Sequence, residues 1–197
     1  MTKLDLLLVG ILSLAACAGD PPVEAEALTP STRARLLWKR NVKLERDLVR
    51  ALELQADELC NERGTDSCTR EVHHVALGGP APFSLGLHKA LPAPMLSTAV
   101  VVDRVILSAC AARVAKDAAG PAVVFTALDL EASTAPTPRD EAYAATVTAL
   151  YRRLLSRDPT DEEVAVLGDL ATEPMTTQQF AILACYAVGS TTEFLFY

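Results

Sequence analysis

Prolines and glycines decide where this chain can be helical. They crowd into residues 71 to 96, "EVHHVALGGPAPFSLGLHKALPAPML", which hold four Pro and three Gly. Each proline removes a backbone donor and fixes φ, so no regular helix runs through this stretch. On both sides of it, apolar residues recur at helical spacing. The pattern predicts a mainly α protein: a small helical bundle carrying one long irregular Pro/Gly-rich loop. A short extended piece over Val72 to Leu77 is admitted, with Phe83, Leu85 and Leu87 to pin the rest. A loop of this length either wraps the core or makes a functional surface.

Upstream, "TPSTRARLLWKRNVKLERDLVRALEL" opens with Thr29 as an N-cap and Pro30 at the first helical position. Leu37, Leu44, Leu48 and Leu52 then share one face, predicting an amphipathic helix over about 31–54 with Trp38 at its edge. Downstream, "STAVVVDRVILSACAARVAKDAAGP" reads as a buried helix. Ser97 or Thr98 caps it, Val101, Val105, Ile106, Ala109 and Val114 form its apolar face, and Gly120-Pro121 ends it. "AVVFTALDLEASTAPTP" permits a strand but has no evident partner. Three more helices follow, the first from Thr137-Pro138 with Tyr143, Val147, Leu150, Tyr151 and Leu154 inward. The capping boxes Thr160-Asp161-Glu162-Glu163 and Thr176-Thr177-Gln178-Gln179 start the other two. The folded part is thus expected to be one helical domain over 31–197: an N-terminal part at 31–130 and a three-helix module at 137–197.

The N-terminus "MTKLDLLLVGILSLAAC" has a short polar start and then an apolar run from Leu6 to Ala16, too short to span a bilayer. Its end, Leu14-Ala15-Ala16-Cys17, resembles the lipobox of bacterial lipoproteins. That resemblance implies a signal peptide over 1–16, lipidation at Cys17 and a membrane anchor through the lipid. Residues 17–30 read as a lipidated flexible tether, Pro-rich and acidic. Residue 18 is Ala rather than Asp, which in such lipoproteins favours the periplasmic face of the outer membrane.

Four cysteines remain, an even number that suits two disulfides in an exported protein. Cys60 and Cys68 close the polar loop "CNERGTDSC". Cys110 and Cys185 lie in apolar helical runs and either pair across packed helices or stay buried as free thiols. A zinc site using His73, His74 and His88 with Cys60 and Cys68 is the rival reading. The Cys-x7-Cys spacing matches no familiar zinc module, however, so neither a metal nor another cofactor is expected. The net charge of −7 is the same without the signal segment, which holds one Lys and one Asp. It argues against nucleic acid as a partner. No Gly-x-Ser-x-Gly surrounds Ser97 or Ser108, no Gly-Lys-Ser/Thr follows Gly78-Gly79-Pro80, and Asp129 and Glu131 sit in a solvated segment. No catalytic residue is assigned.

"LYRRLLSRDPTDEE" and "FAILACYAVGSTTEFLFY", within the last 55 residues, resemble the helical C-terminal module of planctomycete-type cytochrome-associated surface proteins. There, a Tyr-Arg-x-Leu-Leu-x-Arg-x-Pro segment precedes a Ser-x-Glu-Phe-Leu ending. The resemblance implies a partner in an exported redox or surface assembly. It implies no covalent haem, because no Cys-x-x-Cys-His is present. Physically, Arg157 follows a helix end and Glu193 lies where the chain returns. They are expected to form a structural ion pair, with Phe194, Leu195 and Phe196 packed inward. Function is therefore expected to be that of a lipid-anchored accessory or interaction protein, with a small-ligand- or metal-binding lipoprotein using residues 71–96 as the alternative.

Overall fold

A computed structural model describes residues 36–90, 93–172 and 174–197. The signal segment, Cys17, the tether, and Thr29-Pro30 lie outside the described residues. The first helix, α1, spans Asn41–Leu52 and buries Leu44, Leu48, Ala51 and Leu52. It starts well after the expected residue 31. Residues 36 to 40 are instead extended and zip against the C-terminus. Leu37 and Tyr197 exchange both backbone hydrogen bonds at 2.9 Å, and the Lys39 N–H donates to Leu195 O at 2.7 Å. Leu37, expected on the apolar face, is accordingly exposed. A long-range partner for the backbone has outweighed a local helical preference.

Helix α2 (Ala56–Leu59) leads into a two-strand hairpin, β1 (Asn61–Glu62) and β2 (Asp66–Ser67). The disulfide Cys60–Cys68 closes this hairpin, with Cα atoms 5.5 Å apart. Val72 to Leu77 is not extended. A π-helical turn occupies Cys68–Val72, and the chain then coils on itself through Leu77 N–H to His73 O and Gly79 N–H to His74 O. Among the described residues no strand pairs with it, and local turns satisfy the backbone. Helix α3 (Pro82–Leu85) is closed by a bridge between Ala81 and Leu87. Phe83 and Leu85, expected to pin this segment, point to solvent; Leu77 and Ala81 are buried instead.

Helix α4 (Thr98–Ala119) buries all five residues of its expected apolar face, together with Val102 and Cys110. Neither Ser97 nor Thr98 caps it through its side chain. The Thr98 hydroxyl instead donates to Ala76 O at 2.6 Å and accepts from the Met95 N–H, tying the irregular segment to α4. Residues 122–136 form turns rather than a strand. Helix α5 (Glu141–Leu155) begins after Asp140, whose carboxylate accepts from Thr137 N–H and Oγ1. Both capping boxes form, on α6 (Asp161–Gly168) and α7 (Thr177–Gly189), and α8 (Thr192–Leu195) is a short final turn.

The core is one continuous cluster from Leu44 to Phe194. At its centre α4 lies against α7, and the Cys110–Cys185 disulfide joins them with Cα atoms 5.8 Å apart. Gly189 permits this approach, since a Cβ there would sit 2.8 Å from Ile106 Cγ2. Phe194 is buried, while Leu195 and Phe196 are half-buried.

Candidate functional site

The pairing of residues 36–40 with the C-terminus builds one wall of a cavity, and the start of α4 builds another. The cavity measures about 330 Å³, and its lining includes Trp38, Lys39, Met95, Val102, Asp103, Ser190, Leu195 and Phe196. The Trp38 ring packs on Gly78, where φ is +80° and a Cβ would stand 2.7 Å from Cζ2. Trp38 Nε1–H is buried and meets no acceptor.

Lys39 is buried. Its Nζ lies 3.0 Å from Asp47 and 3.8 Å above the centre of the Phe194 ring. Burial pulls its pKa below the ordinary lysine value despite that carboxylate. For Asp47, burial alone would raise the carboxyl pKa. Hydrogen bonds from Lys43 and Lys39 more than offset this and hold it below the ordinary value.

The irregular segment next to this cavity carries the largest exposed apolar side chains. Phe83 is 102% exposed and Leu96 100%, with Leu85 and Met95 also open to solvent, as is Val100 at the start of α4. His88 and Lys89 are exposed just beyond Phe83.

The three histidines do not gather around the cysteines. His73 Nε2 is 3.0 Å from Glu62 Oε1, His74 Nδ1 is 3.0 Å from Glu71 O, and His88 lies in the exposed segment. Among the described residues, the donor atoms that do cluster belong to Cys60, Glu62 and Cys68. Both of those sulfurs are held in the disulfide, which leaves no thiolate to bind a metal. Glu62 is further occupied by Arg104 at 2.9 Å.

Arg157 is placed against Glu193, at 2.8 and 2.6 Å. It also grips Glu163 through Nη1 and Nη2, and stacks 5.2 Å from the Tyr151 ring centre. Arg157 and the Thr160 N–H together hold the Glu163 carboxyl down to about 2. Of the neighbouring arginines, Arg152 pairs with Asp158. Arg153 reaches Glu53 and the carbonyls of Ala51 and Val123.

Sequence reasoning missed a buried centre at Asp117. Its carboxylate accepts from the N–H groups of Val123, Val124 and Phe125 at 2.9 to 3.0 Å, and from Arg113 Nη2 at 2.6 Å. One signal was visible: Arg113 and Asp117 stand four apart in α4, the spacing of an intrahelical pair, and fall among its apolar positions. It also missed Glu45, a buried carboxylate on α1 that takes the Thr69 hydroxyl and a fork from Arg70. The Trp38 indole left no such trace, because its cavity joins residues more than 150 positions apart in sequence. No family model, curated protein or solved structure matches this chain.

Proposed function

We propose that this protein is a lipid-anchored accessory protein of the bacterial envelope, held through Cys17 at the periplasmic face of the outer membrane. Its partner is a protein of an exported assembly, bound through the segment around Phe83. The observation that carries this reading is the full exposure of Phe83 on a turn closed by the Ala81–Leu87 bridge. An aromatic side chain held out on a tied turn presents its whole apolar surface to water. Aromatic anchors of this kind dominate binding energy when a partner supplies a pocket. The chemistry of the partner follows: an apolar pocket for Phe83 and Leu85, with an acidic rim facing His88 and Lys89. The resemblance of the last 55 residues to the planctomycete-type module supports an exported assembly as the setting.

Photo-crosslinking in native cells tests the reading. A photoreactive residue replaces Phe83, and a control replaces the exposed Leu183 on α7. One discrete protein adduct at position 83, absent at 183, supports it. Adducts to lipid alone, or no adduct, overturn it. The anchor is tested separately: Cys17→Ser should abolish acyl labelling and outer-membrane fractionation, and continued acylation would refute the lipobox.

A further inference from the structure

Charge is distributed unevenly over this acidic protein. Residues 36–52 carry five basic side chains, Lys39, Arg40, Lys43, Arg46 and Arg50, and two acidic ones, while the whole chain has a net charge of −7. Both acidic groups are turned inward. Glu45 and Asp47 are buried, Glu45 held by Arg70 and Asp47 by Lys39 and Lys43. What α1 shows to water is therefore positive. Its exposed residues are Val42, Arg46 and Arg50, four positions apart, so they form one stripe. Arg46 and Arg50 make no ion pair among the described residues. Apolar side chains stand at the head of the stripe: Leu36, Leu37, Val42 and Tyr197 are all more than half exposed. Leu37 and Tyr197 are paired through their backbones, and Lys43 Nζ lies 5.7 Å from the centre of the Tyr197 ring.

We infer that this face, from Leu36 to Arg50, docks on the anionic phospholipid surface of the membrane that holds the anchor. Exposed apolar and aromatic side chains beside cations without partners are the composition of an interfacial contact: the former enter the headgroup layer and the latter face anionic lipid. The chain also enters the domain at this face, since Leu36 follows Cys17 by 19 positions. The identity of the membrane rests on the lipid-anchor reading; the Phe83 surface takes no part. A lipid chain and a basic patch reinforce one another, because the first contact raises the local concentration for the second. Docking then fixes which side of the domain turns to the bilayer.

Docking is read first without the anchor. The full mature chain with Cys17→Ser is exported behind a cleavable secretory signal, so that it carries no lipid. It is sedimented with sucrose-loaded vesicles of phosphatidylcholine, alone or mixed with phosphatidylglycerol. Expected is binding about tenfold stronger to the anionic vesicles, falling as sodium chloride is raised. Arg46→Gln with Arg50→Gln removes two exposed charges that no ion pair uses. It should weaken anionic binding by about tenfold while circular dichroism is unchanged. In the acylated protein, a photoreactive residue in place of Val42 should take phospholipid, and one in place of Leu183 should not. No preference for anionic vesicles, wild-type binding by a folded double variant, or protein adducts alone at position 42 overturns the inference. Absence of acylation with anionic binding retained would overturn the anchor and support the docking face.

Discussion

Arg157 and Glu193 meet as a two-point fork, Nε to Oε1 at 2.8 Å and Nη2 to Oε2 at 2.6 Å, across 36 positions of sequence. The same guanidinium holds Glu163, so the junction is a triad. Arg157→Ala should therefore still destabilise the protein when Glu193 is already Ala, because Glu163 is orphaned in both backgrounds. Its effect should shrink to what the Tyr151 ring and the Asp158 carbonyl supply only when both glutamates are removed. Urea unfolding of the eight combinations measures this. Additive effects throughout would show that the three groups act independently.

The triad also sets an acid limit. The Glu163 carboxyl titrates at about 2 in the folded protein against an ordinary 4.5. A lowered native value means that the unfolded chain takes up the proton first. The contribution of Glu163 is therefore complete above pH 4.5 and is lost as pH falls towards 2. Urea midpoints at pH 7, 4.5, 3 and 2 should fall more steeply for the wild type than for Glu163→Gln. Parallel curves would remove Glu163 from the acid response.

Asp117 staples residues 123–125 to α4 with three backbone hydrogen bonds while neutralising the buried Arg113. Asp117→Ala leaves three N–H groups without their acceptor and the buried Arg113 charge without its counter-ion, with only the Leu52 and Glu53 carbonyls still accepting from it. A loss of about 3–5 kcal/mol is expected, the range for breaking one side of a buried pair. Chemical denaturation measures it, and a loss below about 1 kcal/mol would mean that water replaces the carboxylate.

The two disulfides should differ in weight. Cys110–Cys185 closes 75 residues and Cys60–Cys68 closes eight. Loop-closure entropy assigns the longer bridge about 4 kcal/mol and the shorter one less. Paired Cys→Ala variants, unfolded in urea without reductant, should rank in that order.

Gly78→Ala tests the seat of the indole. The new methyl would press on Trp38 Cζ2 in a backbone conformation with φ of +80°. A cost of about 1–3 kcal/mol is expected from overpacking, with a shift in Trp38 emission. Unchanged emission would show that the ring does not rest on residue 78.

The elements read correctly from sequence share one property: their causes are local. The α4 face from Val101 to Val114 follows from helical spacing. The starts of α6 and α7 follow from side chains that cap their own helix within three residues, Thr160 with Glu163 and Thr176 with Gln179. The Arg157–Glu193 pair was legible because an arginine after one helix end and a glutamate near the chain terminus suit a returning bundle. Glu163 was overlooked as its third member because its capping role already accounted for it.

The errors share the opposite property. Trp38 and its neighbours have a helical pattern, yet Leu195 and Tyr197 offer them backbone partners, and the α1 helix starts at Asn41 instead. Phe83 and Leu85 are apolar and so read as anchors, but burial is decided by what stands opposite, and among the described residues nothing covers them. Sequence by itself thus determined the helical segments, their caps and the interruption between them, since those depend on neighbours a turn away. Tertiary structure alone decided the extended entry, the Asp117 staple and the Trp38 cavity, because each is assembled from groups that only the completed fold brings within hydrogen-bond or van der Waals reach.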